Sequence, residues 1–249
     1  MHHLCFDERM FAKHFVVAPS HVPDSKGIMQ PWSLNYKSAR EWRDGNQSEF
    51  TDVLYPSDIP KIQGMAKALE AHPFVQAGAL KGYVERSGFL EDDDTGLWLK
   101  VRPDTIPAHS GDFVDLKCTN SVDWNRLRAT IIEQGYVLQF ALMRMVFRKL
   151  KIPFHSSTLI FVEMEPPHCV RAIALDENDL QRGELAMRLA IRRFANLWRQ
   201  WQQTHNDFLW YGPGGDRAEP ETMYLPDWYT QQLDDKIALA QQQEEYTHG

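Results

Sequence analysis

Residues 113–117 read Phe-Val-Asp-Leu-Lys, a segment with the character of a central strand that nevertheless carries two opposite charges. On a strand Asp115 and Lys117, two apart, project from the same face, whereas Val114 and Leu116 project from the other. Burying such a strand costs several kcal/mol per ion, roughly, unless the ions are paired or bound to a metal. A fold built on this strand must cover its apolar positions and still give the aspartate a cationic partner. That partner is either Lys117, in a structural ion pair, or a bound cation.

Just upstream, Val-Arg-Pro-Asp (101–104) ends a strand-like run. Asp104 is either a turn residue after Pro103 or a second carboxylate that folds back beside Asp115. Two carboxylates holding a hard cation next to an ammonium suit phosphodiester cleavage. The metal polarises the phosphate and acidifies a water, and the lysine positions that water or stabilises the charge that develops.

The surrounding pattern places these residues in an α/β chain. Ser57 and Asp58-Ile59-Pro60 open a helix that runs to about residue 72, where Pro73 stops it. Residues 81–90 and 96–103 read as a hairpin across an acidic turn. Residues 112–118 form a third strand. A helix over about 123–134, capped by Ser121 or Asp123, precedes a second over about 136–150, with Gly135 as the break and Leu138, Ala141, Leu142, Met145 and Val146 as its stripe. Strands at 158–165 and 169–175 form an antiparallel pair, and Asp176 caps a long helix to about residue 203. Residues 19–56 read as an irregular arm with a short helix, 204–226 as turn-rich, and 227–249 as a polar tail, either helical or disordered. The expectation is one domain over 1–249 with its core at about 57–204: a mixed central sheet flanked by helices.

The ordered series Glu85, Pro103-Asp104, then Asp115-Leu116-Lys117 resembles the PD-(D/E)xK nuclease superfamily. Tyr136-Val137-Leu138-Gln139 resembles the Tyr-x-x-Gln helix of its RecE-like exonucleases of phage and prophage type. His14-Phe15-Val16-Val17-Ala18-Pro19 and Ala71-His72-Pro73 resemble further segments of that group. The resemblance spans roughly residues 2–200. It implies a PD-(D/E)xK nuclease-like α/β fold and a Mg²⁺ (or Mn²⁺) site held by Asp104, Asp115, the Leu116 carbonyl and an N-terminal histidine. That histidine falls at His2, about nine residues before Phe11, with His3 beside it and His72 as a rival. The resemblance further implies catalytic roles for Lys117, Glu85 and Gln139, and a DNA contact for Tyr136. A Gln-x-x-x-Tyr pattern would place tyrosine at 143, where this chain has Met143.

Activity, direction and assembly follow from the resemblance alone. The implied enzyme is a metal-dependent exonuclease acting 5′→3′ on double-stranded DNA ends, with a ring-shaped homo-oligomer and a single-strand annealing recombinase as partner. The alternatives are an endonuclease or single-strand nuclease with the same site, or a degenerate nuclease fold serving DNA binding or assembly.

Composition bears on the substrate. The net charge of −7 argues mildly against nucleic acid. Basic residues nevertheless gather at Arg126, Arg128, Arg144, Arg148, Lys149 and Lys151, flanking the candidate site, so a local groove with Arg144 and Arg148 on DNA is the expectation. Three separated cysteines make no zinc or iron–sulfur set. No 18-residue uncharged apolar run and no signal-peptide pattern appear, so a cytoplasmic protein without a membrane span is expected. No Gly-x-x-x-x-Gly-Lys loop and no Gly-x-Ser-x-Gly elbow compete with the metal reading.

Overall fold

A computed structural model describes residues 11, 13–210 and 222–248. The chain divides into two compact units, Met1–Ala195 and Asn196–Gly249.

The first unit is organised on a three-stranded mixed sheet whose strands, from one edge to the other, are Val170–Ala174, Ser156–Glu163 and Asp112–Thr119. Strand β9 (Asp112–Thr119) runs parallel to β10 (Ser156–Glu163), with Asp115 opposite Leu159 and Lys117 opposite Phe161. Strand β11 (Val170–Ala174) pairs antiparallel with β10. A parallel pair requires a crossover, and helices α4 (Trp124–Glu133) and α5 (Tyr136–Lys149) supply it. Asp123 caps α4, its side chain accepting from the Asn125 and Arg126 N–H groups at 3.1 Å each. Gly135 separates the two helices at φ 64°, the left-handed region that glycine enters at little cost.

Alternation along β9 and β10 creates two cores. Phe113, Leu159 and Phe161 face α4, α5 and the start of α6 (Glu177–Thr204), packing with Leu127, Phe140, Met143, Phe147 and Leu180. Val114, Leu116, Ile160 and Val162 face α2 (Asp58–Ala71), packing with Ile62, Met65 and Leu69. The sheet is therefore covered on both faces, and this is why the Phe-Val-Asp-Leu-Lys strand is almost continuously buried.

The stretch 81–106 differs from the single hairpin expected. Strand β5 (Tyr83–Val84) stops where Glu85 adopts φ 54° and pairs instead with β8 (Thr105–Ile106). The hairpin is the shorter pair β6 (Gly88–Glu91) and β7 (Trp98–Val101). Residues 19–56, expected as a loop with a short helix, contain that helix as α1 (Lys37–Asn46) and, beyond expectation, β2 (His21–Pro23), β3 (Met29–Pro31) and β4 (Asp52–Leu54), and β4 pairs parallel with β1 (Phe15–Val17). Ser57 does not cap α2 with its side chain; Asp58 instead accepts from the Tyr55 N–H. His72 is extended at the α2 end before Pro73, which opens the short α3 (Pro73–Gln76). Asp176 caps α6 through the Asn178 and Asp179 N–H groups.

In the second unit Trp198 stacks on Trp201 at 5.1 Å, and the Trp201 indole donates to Asp207 at 2.9 Å. A helix, α7 (Asp227–His248), ends the described chain. Among the described residues no helix is long and apolar enough to cross a membrane.

Candidate active site

Three backbone devices converge on the centre of β9. The α5 helix presents Tyr136 and Gln139, three residues apart and so neighbours on one helix face. The β5–β8 ladder brings Glu85 level with Asp104, whose carbonyl accepts the Glu85 N–H at 3.0 Å. Asp104 then reaches the edge of the three-stranded sheet, where its Oδ2 accepts the Leu116 N–H at 2.8 Å. A carboxylate satisfying an outer strand donor both fills an otherwise open edge position and fixes itself next to Asp115.

Asp115 is buried, its side chain 4% exposed. Gln139 Nε2 donates to its Oδ1 at 3.1 Å. Its Oδ2 lies 2.6 Å from Lys117 Nζ, charge-paired but without a hydrogen bond aligned to it. The Lys117 ammonium also lies over the Tyr136 ring, 4.9 Å from its centroid. Four of the residues singled out in the sequence thus meet in one cluster: Asp115, Lys117, Tyr136 and Gln139. Asp104 and Leu116 border it.

Glu85 stands beside this cluster but is engaged elsewhere, its carboxylate 3.0 Å from Arg102 Nε. Among the described residues no three His, Cys, Asp or Glu side chains converge as metal ligands. The donor chemistry still suits a small hard cation. Mg²⁺ takes one or two carboxylates and completes its shell with water and phosphate oxygens, and Asp115 offers a buried oxygen with no aligned donor. His2 and His3 lie outside the described residues. His72 Nδ1 is buried without a hydrogen-bond partner at the end of α2, and its side chain does not cap α3.

Arg144 and Arg148, expected to meet DNA, are placed otherwise. They lie about 140° and 180° around α5 from Gln139 at 100° per residue. The Arg144 side chain is 1% exposed and is held by Glu184 at 2.5 Å and Glu177 at 2.6 Å. Arg148 is exposed and shares Glu184 at 3.3 Å, and Lys149 pairs with Asp93 at 2.7 Å. Opposite charges from α6 and the hairpin turn thus occupy the basic stretch of α5. Position 143 is core as well, Met143 being 2% exposed, so a tyrosine there would point inward rather than to a substrate. The α5 stripe is rotated from expectation: Phe140, Met143 and Phe147 join Ala141 and Val146 inside, while Leu138 is 39% exposed.

Sequence reasoning did not single out Arg102, Phe161 or the Arg144–Glu184 pair. Phe161 carries no polar signal, and ion pairs 40 residues apart leave none in a linear pattern.

A family model described as "PDDEXK-like domain of unknown function (DUF3799)" matches residues 1–206. A crystal structure described as "Putative exonuclease" from Eubacterium rectale aligns with TM-score 0.50 and 14% identity, covering 75% of this chain and 71% of that one. A phage related exonuclease from Haemophilus somnus aligns with TM-score 0.38 and 11% identity, covering 69% of this chain and 90% of the other. No curated protein matches the sequence.

Proposed function

The chain belongs to the PDDEXK-like family DUF3799, and we propose that it is a metal-dependent deoxyribonuclease that degrades double-stranded DNA from its ends, 5′→3′. The observation that carries this reading is the buried Asp115 carboxylate. It is shared between Gln139 and Lys117, with Asp104 fixed on the next backbone N–H. A purely structural ion pair would need neither the second carboxylate nor the glutamine.

In this reading Asp104, Asp115 and the Leu116 carbonyl hold Mg²⁺ or Mn²⁺, with His2 as a further ligand. When bound, the cation polarises the scissile phosphate and acidifies a water. Lys117 holds that water and stabilises the charge that accumulates on phosphorus oxygens. Gln139 fixes the Asp115 rotamer. Glu85 joins the site once its carboxylate leaves Arg102. Product single strands would pass to an annealing recombinase, and a ring of subunits in the cytoplasm would keep the enzyme on its duplex.

The acidic balance of the chain is no obstacle to DNA. Residues 207–249, beyond the family match, contain nine acidic and two basic residues, a net −7. Residues 1–206 contain 25 of each and are neutral.

The test is incubation of the full chain with end-labelled linear duplex and closed circular DNA, with and without Mg²⁺. Linear DNA is degraded only with the metal and circles survive. Asp115→Ala and Lys117→Ala lose at least about 10²-fold in rate while keeping the wild-type circular dichroism spectrum. Cutting of circles at the linear rate would make it an endonuclease. Binding without cleavage in Mg²⁺ or Mn²⁺ would make it a degenerate nuclease fold, a reading that the Glu85–Arg102 ion pair favours.

A further inference from the structure

Tyr136 opens α5, and the face of its ring lies towards the Lys117 ammonium at 4.9 Å, inside the distance at which a ring quadrupole attracts a cation. The ring also meets Phe161, centroid to centroid 6.3 Å and tilted by 46°. Phe161 is the register partner of Lys117 across the β9–β10 pair. Phe161 itself is 1% exposed and cannot move without disturbing the core. The three side chains therefore form one cluster, in which the Tyr136 ring touches both the lysine and a fixed phenylalanine.

We propose that Tyr136 is a positioning residue, whose ring face, braced by Phe161, holds the Lys117 ammonium in place. The proposal rests on the nuclease reading for its catalytic consequence but not for the contact itself. A lysine side chain has four rotatable bonds and no directional preference of its own. Here its head group has two restraints, Asp115 Oδ2 and the Tyr136 ring. The carboxylate oxygen is the one a cation would claim. The ring carries no formal charge and is no metal ligand, so it restrains the ammonium whether or not Asp115 is engaged elsewhere. The work falls to the ring face and not to the hydroxyl, so phenylalanine at 136 suffices. This role differs from a DNA contact, which would use the hydroxyl or stack a base and would appear in substrate affinity.

The experiment compares wild type, Tyr136→Phe, Tyr136→Leu and Tyr136→Met as full-length proteins of matched thermal stability. The first readout is metal-free and independent of activity. In protein with isotope-labelled lysine, assigned with Lys117→Arg, the Lys117 ε-methylene protons show an upfield ring-current shift in wild type and Tyr136→Phe. That shift is lost in the leucine and methionine variants. The second readout is kinetic. Tyr136→Leu lowers kcat about five- to tenfold with KM and DNA affinity unchanged, and Tyr136→Phe restores kcat. Absence of the ring-current shift in wild type overturns the proposal. So does a phenylalanine variant as impaired as leucine, or a loss confined to KM. If wild type cleaves no DNA, the nuclease reading fails, and the ring-current readout alone decides whether Tyr136 positions Lys117.

Discussion

Gln139 on α5 donates a hydrogen bond of 3.1 Å to Asp115 on β9, 24 residues earlier in the chain. A glutamine amide has donors to spare and no charge, so it can hold a carboxylate without neutralising it. Lys117 neutralises the other oxygen of the same group. The two partners have separate jobs: the amide sets the rotamer and the ammonium offsets the charge.

Removing the amide therefore costs orientation and little else. Gln139→Leu is expected to lower kcat about tenfold, the worth of one hydrogen bond to a charged acceptor. Gln139→Glu is expected to be worse, because a second carboxylate beside Asp115 repels it. Single-turnover cleavage of end-labelled duplex measures both. A glutamate variant as active as wild type would show that charge at this position is immaterial.

The Arg144 cluster gives a prediction about stability instead of catalysis. A buried guanidinium stripped of its partner is costly, whereas replacing a whole buried ion pair by apolar side chains of similar volume is often neutral. Glu184→Ala leaves Arg144 with Glu177 alone and an already orphaned Nη2, and should destabilise by about 3 kcal/mol. Arg144→Met leaves Glu184 paired with Arg148 and Glu177 half in water, so it should destabilise less than Glu184→Ala. It should also leave DNA affinity and its salt dependence as in wild type. Urea denaturation and filter binding decide; a reduced salt slope in Arg144→Met would return that residue to the DNA-contacting set.

The parts of this fold visible in the sequence are those dictated by local periodicity. Asp123 and Asp176 cap their helices as read, Gly135 breaks α4 from α5, and the alternation of β9 puts Asp115 and Lys117 on one face and Leu116 on the other. Tyr136 and Gln139 arrive at the site because helical spacing carries them there. What the sequence concealed depends on tertiary neighbours. Arg144 reads as a surface cation until α6 packs Glu177 and Glu184 against it. Glu85 reads as part of a continuous strand, but its left-handed φ ends that strand at Val84, which pairs with β8 and leaves Asp104 just before it. Short apolar stretches in 19–56 form β2, β3 and β4 only by pairing with one another or with β1.

The hairpin that leads into Asp104 is tied down at its turn, and this tie should respond to pH. Asp92 opens the turn, 5% exposed in its side chain, and Arg188 of α6 lies 2.5 Å away. Burial works against its ionisation, but hydrogen bonds from Thr95 and Arg188 outweigh it, and the carboxyl is held below its ordinary value of 3.8. A lowered folded-state value means that the unfolded chain binds the proton more readily. The stabilisation from ionised Asp92 is therefore complete well above pH 3.8 and drains away as pH falls through that value towards the lower folded-state one. Asp92→Asn removes the titrating group. It should be less stable than wild type near neutrality, and the gap should close progressively below about pH 4. Hydrogen exchange at the Leu90 and Leu99 amides, measured in both proteins from pH 7 down to pH 3, follows the hairpin directly. A gap that widened on acidification would mean that Asp92 is protonated more readily in the folded protein, contrary to its pairing with Arg188.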